Sequence, residues 1–496
     1  MFCWRKTSFA VYHQSFAEKR DSQKSREDSK VSELFDTIRT PSDVCRIVPM
    51  LLALLCLYIF LLIVLSVYRS KQTKEQNARN FLTASGSASA ILCALSLVST
   101  IIGGSATLGI GALAQKIGTA AFWWLGVGAI GLFLHGLWIA RAIRSTGACT
   151  LPDVLGRLVG NGAKRWSAFI IVVSWVGVVA AQFTALRTLL TDILPSSQGE
   201  VLYLLLTVAI VLHTAFGGQK AVLRTDAMQT ALLTGGFVSA ALWCLTSSSV
   251  DWGAIDPIPF NDSFGAWDWL KLALLVGVTY MVGPDIFSRT FAASSSRSAS
   301  LGAWVGSALL LVFAVIITFL AMSNLSAANP LSGWLSDASV MPSFIKVALA
   351  LGLVSALAGS ADTVLLSAAG IVEKDLLDGD QSSRLRRLIA LFGFGAVLLT
   401  YQSSDIIGWL LYAYALFVPG VAVPLLVLLL KKQGSVNKRI WLVGAIIGGA
   451  LGLAGNLTGW PLAIVGVVLS AMLAWFSKTS QMENPSVIPK RENSLK

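Results

Sequence analysis

The chain has 496 residues, of which 55% are hydrophobic and only 13% charged. Soluble domains carry about 25% charged residues, so an ordinary soluble fold is excluded. The net charge of +12 comes from loops and one polar tail, which is no reading for a nucleic-acid surface. Residues 1–47 form that tail. Lys19, Arg20, Lys24, Arg26 and Lys30 are interleaved with acidic residues there, and the segment reads as disordered. It is no signal peptide, because the apolar run begins too late. About thirteen apolar segments follow: 48–68, 85–112, 119–141, 166–188, 201–217, 224–247, 267–290, 301–322, 342–372, 386–401, 404–430, 439–456 and 460–476. A membrane helix needs about 20 apolar residues. The expected fold class is therefore an all-α polytopic membrane protein with about thirteen transmembrane helices. A short polar tail, 477–496, closes the chain.

Loop charge gives the orientation. Basic residues follow the odd-numbered segments: Arg69, Lys71, Lys74 and Arg79; Arg144, Arg157, Lys164 and Arg165; Lys220 and Arg224; Arg297; Arg384, Arg386 and Arg387; Lys431, Lys432, Lys438 and Arg439. The loop 248–266 instead holds Asp251, Asp256 and Asp262 and no basic residue. Basic loops stay in the cytoplasm. The C-terminus is expected inside and, with an odd count, the N-terminus outside a plasma (inner) membrane. The basic tail then lies on the disfavoured side. Either it is translocated against the bias, or the natural start lies near Met50. The six cysteines form no C-x-x-C pair, the three histidines are scattered, and no catalytic or metal-ligand spacing is present. No enzyme and no cofactor are expected.

Two segments carry helix breakers. The second has Gly103 and Gly104 near its centre, and the seventh has Gly277 and then Gly283–Pro284. Proline removes a backbone donor and glycine favours unwinding. Unwound backbone at membrane depth survives only where protein or water satisfies it. Segments 2–6 (85–247) and 7–11 (267–430) are two sets of five, each opening with a broken segment. An odd number of spans inverts the second set. Paired breaks in an inverted repeat mark a midplane ligand site. The first segment (48–68) and the last two (439–476) are then peripheral. The ninth segment holds Ser360, Asp362 and Thr363. Asp362 lies eleven residues before Glu373, about 16 Å along a helix and half of a core about 30 Å thick. Intramembrane carboxylates are expensive and as a rule serve ions or protons. Asp362 as a structural carboxylate, and Thr363 bonded to the carbonyl a turn back, are the plainer alternatives.

These residues resemble the sodium:solute symporter family. RNFLTASGS (79–87) and STIIGGSATLG (99–109) look like its first core helix and the lead into it. AFGGQKAVLRTDAMQ (215–229) is close to its loop motif. GPDIFSRTFAA (283–293) and SALAGSADTVLLSAAGIVEKDLL (355–377) resemble its Pro-containing segment and its ion-site helix. The resemblance runs from about Leu51 to Lys432 and implies a five-helix inverted-repeat transporter. It implies a sodium ion held by carbonyls at Ser99 and Ile102 and by hydroxyls at Gly359 and Ser360. Gly359 has no side chain, so Asp362 or Thr363 is expected to take its place, and Gly359→Ser to tighten the site. In the loop motif, Thr225 or Asp226 fits a helix N-cap, and Asp285 and Arg289 fit a pair across one turn. No cation at the midplane is expected to fix a carboxylate. The solute is expected to touch Gly103, Gly104, Gln182, Thr279 and Tyr280. The implied function is sodium-coupled symport of a small organic solute by alternating access. A proton-coupled carrier using Asp362 is one alternative, and a membrane sensor on the same scaffold is another.

Overall fold

The computed structural model describes residues 41–72, 77–247, 250, 253, 255–336, 341–430, 435–458 and 460–479. Residues 1–40 of the polar tail, the tail beyond 479, and Lys74, Asp251, Lys431 and Lys432 lie outside the described residues. Among the described residues the regular structure is helical, apart from two-residue strands at Ser435–Val436 and Lys478–Thr479 that pair antiparallel. The helices are α1 (Pro41–Gln72), α2 (Ala78–Thr83), α3 (Ala90–Ile101), α4 (Ile110–Ile117), α5 (Trp123–Leu134), α6 (Ala140–Ser145), α7 (Leu151–Leu158), α8 (Asn161–Ile193) and α9 (Ser196–Thr246). There follow α10 (Ala266–Leu272), α11 (Val278–Val282), α12 (Pro284–Ala292), α13 (Ser296–Met322), α14 (Pro330–Ser336), α15 (Ser343–Ile371), α16 (Ser382–Thr400), α17 (Ile406–Phe417), α18 (Val423–Leu430), α19 (Lys438–Thr458) and α20 (Trp460–Phe476).

Each of the thirteen apolar segments falls on helix. Eight helices are long and apolar enough to cross a membrane among the described residues, so the count of thirteen spans is not established. Part of the difference is merging. The fifth and sixth segments share α9, which turns at Gly218 (φ 60°, ψ −172°), a conformation open to glycine at little cost. The tenth segment forms α16, whose Arg384, Arg386 and Arg387 lower its hydropathy. Local signals set several starts. Ser89, Thr150, Ser295 and Asp405 each accept a backbone N–H in the first turn of the following helix, as N-caps do.

Helix α15 is the centre of the molecule. In the apolar 18-residue window of Ser343–Leu376, 83% of the residues are buried, more than in any other candidate span among the described residues. A helix apolar all round is a core helix, and α15 packs against α9, α8, α3 and α16. Gly352 and Gly370 let it approach Leu233 and Leu82. The segment before α3 is strapped to the end of α12: the Ala88 N–H donates to Ala292 O at 2.9 Å, and the Ser294 N–H donates to Ala88 O at 2.8 Å. This strap turns through Ala84 and Ser85, both left-handed (φ 49° and 55°).

Candidate functional site

The first break begins where α3 ends. Ile102 leaves the helical region (φ −81°, ψ 83°). In an unbroken helix the Gly103 N–H would reach Ser99 O and the Gly104 N–H would reach Thr100 O. Instead the Gly103 N–H donates to Ile101 O at 3.0 Å, and the Gly104 N–H donates to Gln182 Oε1 on α8 at 2.6 Å. The Ser99 carbonyl thereby loses its helical partner. Gly103 has no room for a side chain: a methyl there would lie 2.3 Å from Gln182 Oε1 and 2.6 Å from Ser360 Oγ. The break therefore sits directly on α15 and α8. Ser99 Oγ donates to Gln229 Oε1 at 3.3 Å, and Gln229 Nε2 donates to the Tyr58 hydroxyl at 2.9 Å.

Gly359 corrects one expectation. A methyl on it would lie 2.0 Å from Ser99 Oγ and 2.6 Å from Gln229 Oε1. The volume a hydroxyl at 359 would need is filled by Ser99 Oγ from the facing helix. Glycine stands there because α3 and α15 touch, so Gly359→Ser is expected to disrupt the site, not to tighten it.

Asp362 and Thr363 turn to a second cluster. Thr363 Oγ1 lies 3.2 Å from Thr100 Oγ1 and 3.0 Å from Gly359 O, and also meets the Arg289 guanidinium. Arg289 donates to Ser96 Oγ and to Asp226 Oδ2, each at 2.9 Å. Ser96 also hydrogen-bonds Asp226. Arg289 is 1% exposed and Asp226 0%, so this is a buried, charge-assisted network. Asp362 Oδ2 lies 3.9 Å from His213 Nε2, and Oδ1 is 3.3 Å from Thr363 Oγ1.

Two expectations change here. Arg289 pairs with Asp226 on α9, not with Asp285 a turn away. Thr225 and Asp226 are no N-cap, because the turn lies earlier, at Gly218, and Thr225 bonds back to Ala221 O and Val222 O inside the helix. Arg289 itself stands buried near the end of the Ala266–Ala292 span. The spacing in T-D-x-x-Q signals this: Asp226 and Gln229, three apart, share one face of an apolar helix. What one chain's spacing does not show is which helix supplies the partner.

The second break is Gly283, extended (φ −60°, ψ 144°) between α11 and α12, with Pro284 as the first residue of α12. Proline is well placed at a helix start, where its missing N–H is not needed. Thr279 and Tyr280 lie at this break, both buried. The Thr279 hydroxyl bonds back to Leu275 O at 2.7 Å, and the Tyr280 ring packs on Gly128 of α5. The site residues expected from sequence thus fall into three groups. Ser99, Ile102, Gly103, Gly104, Gln182, Gly359 and Ser360 gather at the first break; Asp362 and Thr363 join the Asp226–Arg289 network; Thr279 and Tyr280 stand at the second break.

A cavity of about 260 Å³ opens at the far ends of the broken helices, lined by Leu113, Ile117, Trp124, Leu272, Leu275 and Ile407. At the opposite end, between Leu82, Gln219, Pro284, Ser288 and Gly370, only about 20 Å³ remains. That end is also held by ion pairs. Lys164 donates to Asp378 at 2.8 Å, holding the Asp378 carboxyl below the usual carboxylate range, and Arg384 pairs with the buried Glu373 at 2.6 Å.

The sequence profile described as the sodium:solute symporter family matches residues 81–254. No curated protein sequence matches the chain. Among solved structures, a Na+-coupled sialic acid symporter in a substrate-bound outward-open state is similar, with a TM-score of 0.73 and 15% identity over 86% of this chain and 96% of that one. MhsT in complex with L-phenylalanine is similar at 0.54 and 13%, over 79% and 98%. MHP1, a nucleobase-cation-symport-1 family transporter in a closed conformation with bromovinylhydantoin bound, is similar at 0.51 and 12%, over 82% and 94%. At such identities the likeness is one of fold alone. The match to the sodium:solute symporter family is thus to the segment 81–254, and the solved structures share the fold of the chain.

Proposed function

We propose that the protein is a secondary transporter that imports a small organic solute with sodium by alternating access. The observation that carries this reading is the first break, where the Ser99 carbonyl has lost its helical partner beside Ser360 on the central helix. Sodium is a hard cation and takes oxygen ligands. The carbonyls of Ser99 and Ile102 and the Ser360 hydroxyl are the proposed ligands. Thr363 and Asp362 act behind them. Thr363 ties the ion-site helix to the Asp226–Arg289 pair, and Asp362 supplies negative charge to the region. Gly103, Gly104, Gln182, Thr279 and Tyr280 border the proposed solute path. Gln182 works first as a cap for the unwound backbone, because its Oε1 is engaged by the Gly104 N–H. The two repeats are taken as 85–247 and 267–430, with 48–68 and 439–476 peripheral.

The open cavity beside Trp124 and the closed, ion-paired end beside Glu373 support an outward-facing state in which the solute enters from the Asp262 side. The protein lies in the plasma (inner) membrane with the Arg144–Lys164 stretch cytoplasmic, on the loop charges. An engineered cysteine between Arg144 and Lys164 is expected to resist an impermeant maleimide in intact cells, and one beside Asp262 to react. The reverse pattern would invert the topology.

Ser360→Ala tests the ion site. It removes one oxygen ligand and leaves the fold intact, so the sodium concentration for half-maximal uptake should rise about tenfold, on the scale of one hydrogen-bond-sized interaction. The solute half-saturation at saturating sodium should stay near native. An unchanged sodium dependence would remove Ser360 from the site. The proximity of Asp362 to His213 at 3.9 Å favours a second reading, proton coupling through this pair. In that case uptake follows the pH gradient, and Asp362→Asn abolishes the dependence while solute exchange survives.

A further inference from the structure

We propose that His135 fixes the geometry of the second break by bridging its two half-helices through both ring nitrogens, which makes it a positioning residue for the solute side of the site. The structural claim stands on the contacts alone; its consequence for uptake rests on the transport reading above.

His135 is 1% exposed and opens the π-helical turn His135–Ile139 that follows α5. Such turns often sit at functional positions. Nδ1 lies 2.8 Å from the Met281 carbonyl, and Nε2 lies 2.8 Å from Thr290 Oγ1. A carbonyl can only accept, so Nδ1 carries the proton; in a neutral ring Nε2 then accepts from the threonine hydroxyl, in place of that hydroxyl's 3.3 Å contact with Ile286 O. A neutral ring is thereby held as the Nδ1–H tautomer.

The two contacts lie on opposite sides of Gly283. Met281 belongs to α11 and Thr290 to α12. In an unbroken helix the Met281 carbonyl would receive the N–H of Asp285. The extended Gly283 turns that donor away, and the Nδ1–H of His135 takes its place. A buried carbonyl without a donor is costly, so the break and the histidine belong together. The ring also packs on Phe287 of α12, with centroids 5.6 Å apart.

The same helix face seats the outer half. A methyl at Gly131 would lie 2.0 Å from the Gly277 carbonyl, and one at Gly128 would lie 2.2 Å from the Tyr280 ring. Residues 128, 131 and 135 follow i, i+3, i+7 spacing. One face of one helix thus receives the outer half at two glycines and ties it to the inner half through the imidazole. A residue that only filled space would have no need of a fixed tautomer or of two directed bonds.

Nuclear magnetic resonance of the full chain in nanodiscs, with ¹⁵N-histidine, tests the structural claim. The sequence has three histidines, and His135→Asn identifies the signal. The expected result at neutral pH is the neutral Nδ1–H tautomer; an Nε2–H tautomer or an imidazolium would overturn the proposal. Two variants test the consequence. Asparagine places an amide at the Nδ1 position and can keep the Met281 bond, while glutamine reaches the Nε2 position and loses it. For a solute that the native protein accumulates from a labelled panel, His135→Asn, which keeps the Met281 bond but loses the Thr290 arm of the bridge, should raise the half-saturating concentration about threefold, and His135→Gln, which strands the Met281 carbonyl, about tenfold. Binding of radiolabelled Na+ alone should be native in both. Equal defects in the two variants, or a shifted Na+ affinity, would contradict the positioning role. Failure of the native protein to accumulate any solute would count against the transport reading, and the tautomer would still decide the structural claim.

Discussion

Gly103→Ala should strongly impair sodium-dependent uptake while the protein is still made and inserted. The added methyl would lie 2.3 Å from Gln182 Oε1 and 2.6 Å from Ser360 Oγ, closer than real side chains approach. One of the two must move. If Gln182 moves, the Gly104 N–H loses its acceptor at 2.6 Å, and a buried unpaired N–H costs about 1–3 kcal/mol. If Ser360 moves, the proposed ion site loses its hydroxyl. Overpacking adds about 1–3 kcal/mol of its own. The half-saturating sodium concentration should rise by at least about tenfold, since each decade corresponds to about 1.4 kcal/mol. Gly395→Ala is the control: that position has nothing within 4 Å, and uptake should be native. Native sodium dependence in Gly103→Ala would mean that the break does not border the ion site.

Asp226→Ala should give the largest loss of stability. Arg289 and Asp226 pair at 2.9 Å, with 1% and 0% of their side chains exposed. Removing the carboxylate strands a buried guanidinium, and breaking a buried pair from one side costs about 3–5 kcal/mol. The thermal midpoint in detergent should drop clearly, as read by fluorescence-detected size exclusion. Arg289→Gln combined with Asp226→Asn should recover much of the loss, because neither charge is then stranded. Arg289→Lys should not rescue, since a single ammonium does not reproduce the directed fork to Ser96 Oγ, Asp226 and Thr363. A double variant no more stable than Asp226→Ala would show that the pair is not coupled as the geometry implies.

The breaks were readable because they are local. Gly103–Gly104 and Gly283–Pro284 announce themselves by residue type, and the structure departs from helix at both. The ninth segment was readable as a long helix from its apolar run, and it forms α15. The partners of its polar residues were not. Asp226 and Arg289 are 63 residues apart, and nothing in the spacing of either helix names the other. Gly359 shows the limit most clearly. From the sequence it is a missing hydroxyl; in the fold it is the point where α3 and α15 meet, and Ser99 Oγ fills the space. The fifth and sixth segments meet at Gly218, whose non-helical backbone (φ 60°, ψ −172°) divides α9 into two helical stretches, in keeping with the two segments that hydropathy reads.

Uptake into proteoliposomes tests the central claim most directly. The purified full chain is reconstituted, a panel of labelled small organic solutes is offered, and inward sodium and proton gradients are imposed separately. The account predicts accumulation of at least one solute under the sodium gradient alone, collapse of that accumulation with a sodium ionophore, and a raised sodium requirement in Ser360→Ala. Accumulation that ignores sodium, follows the proton gradient and is untouched by Ser360→Ala would contradict it.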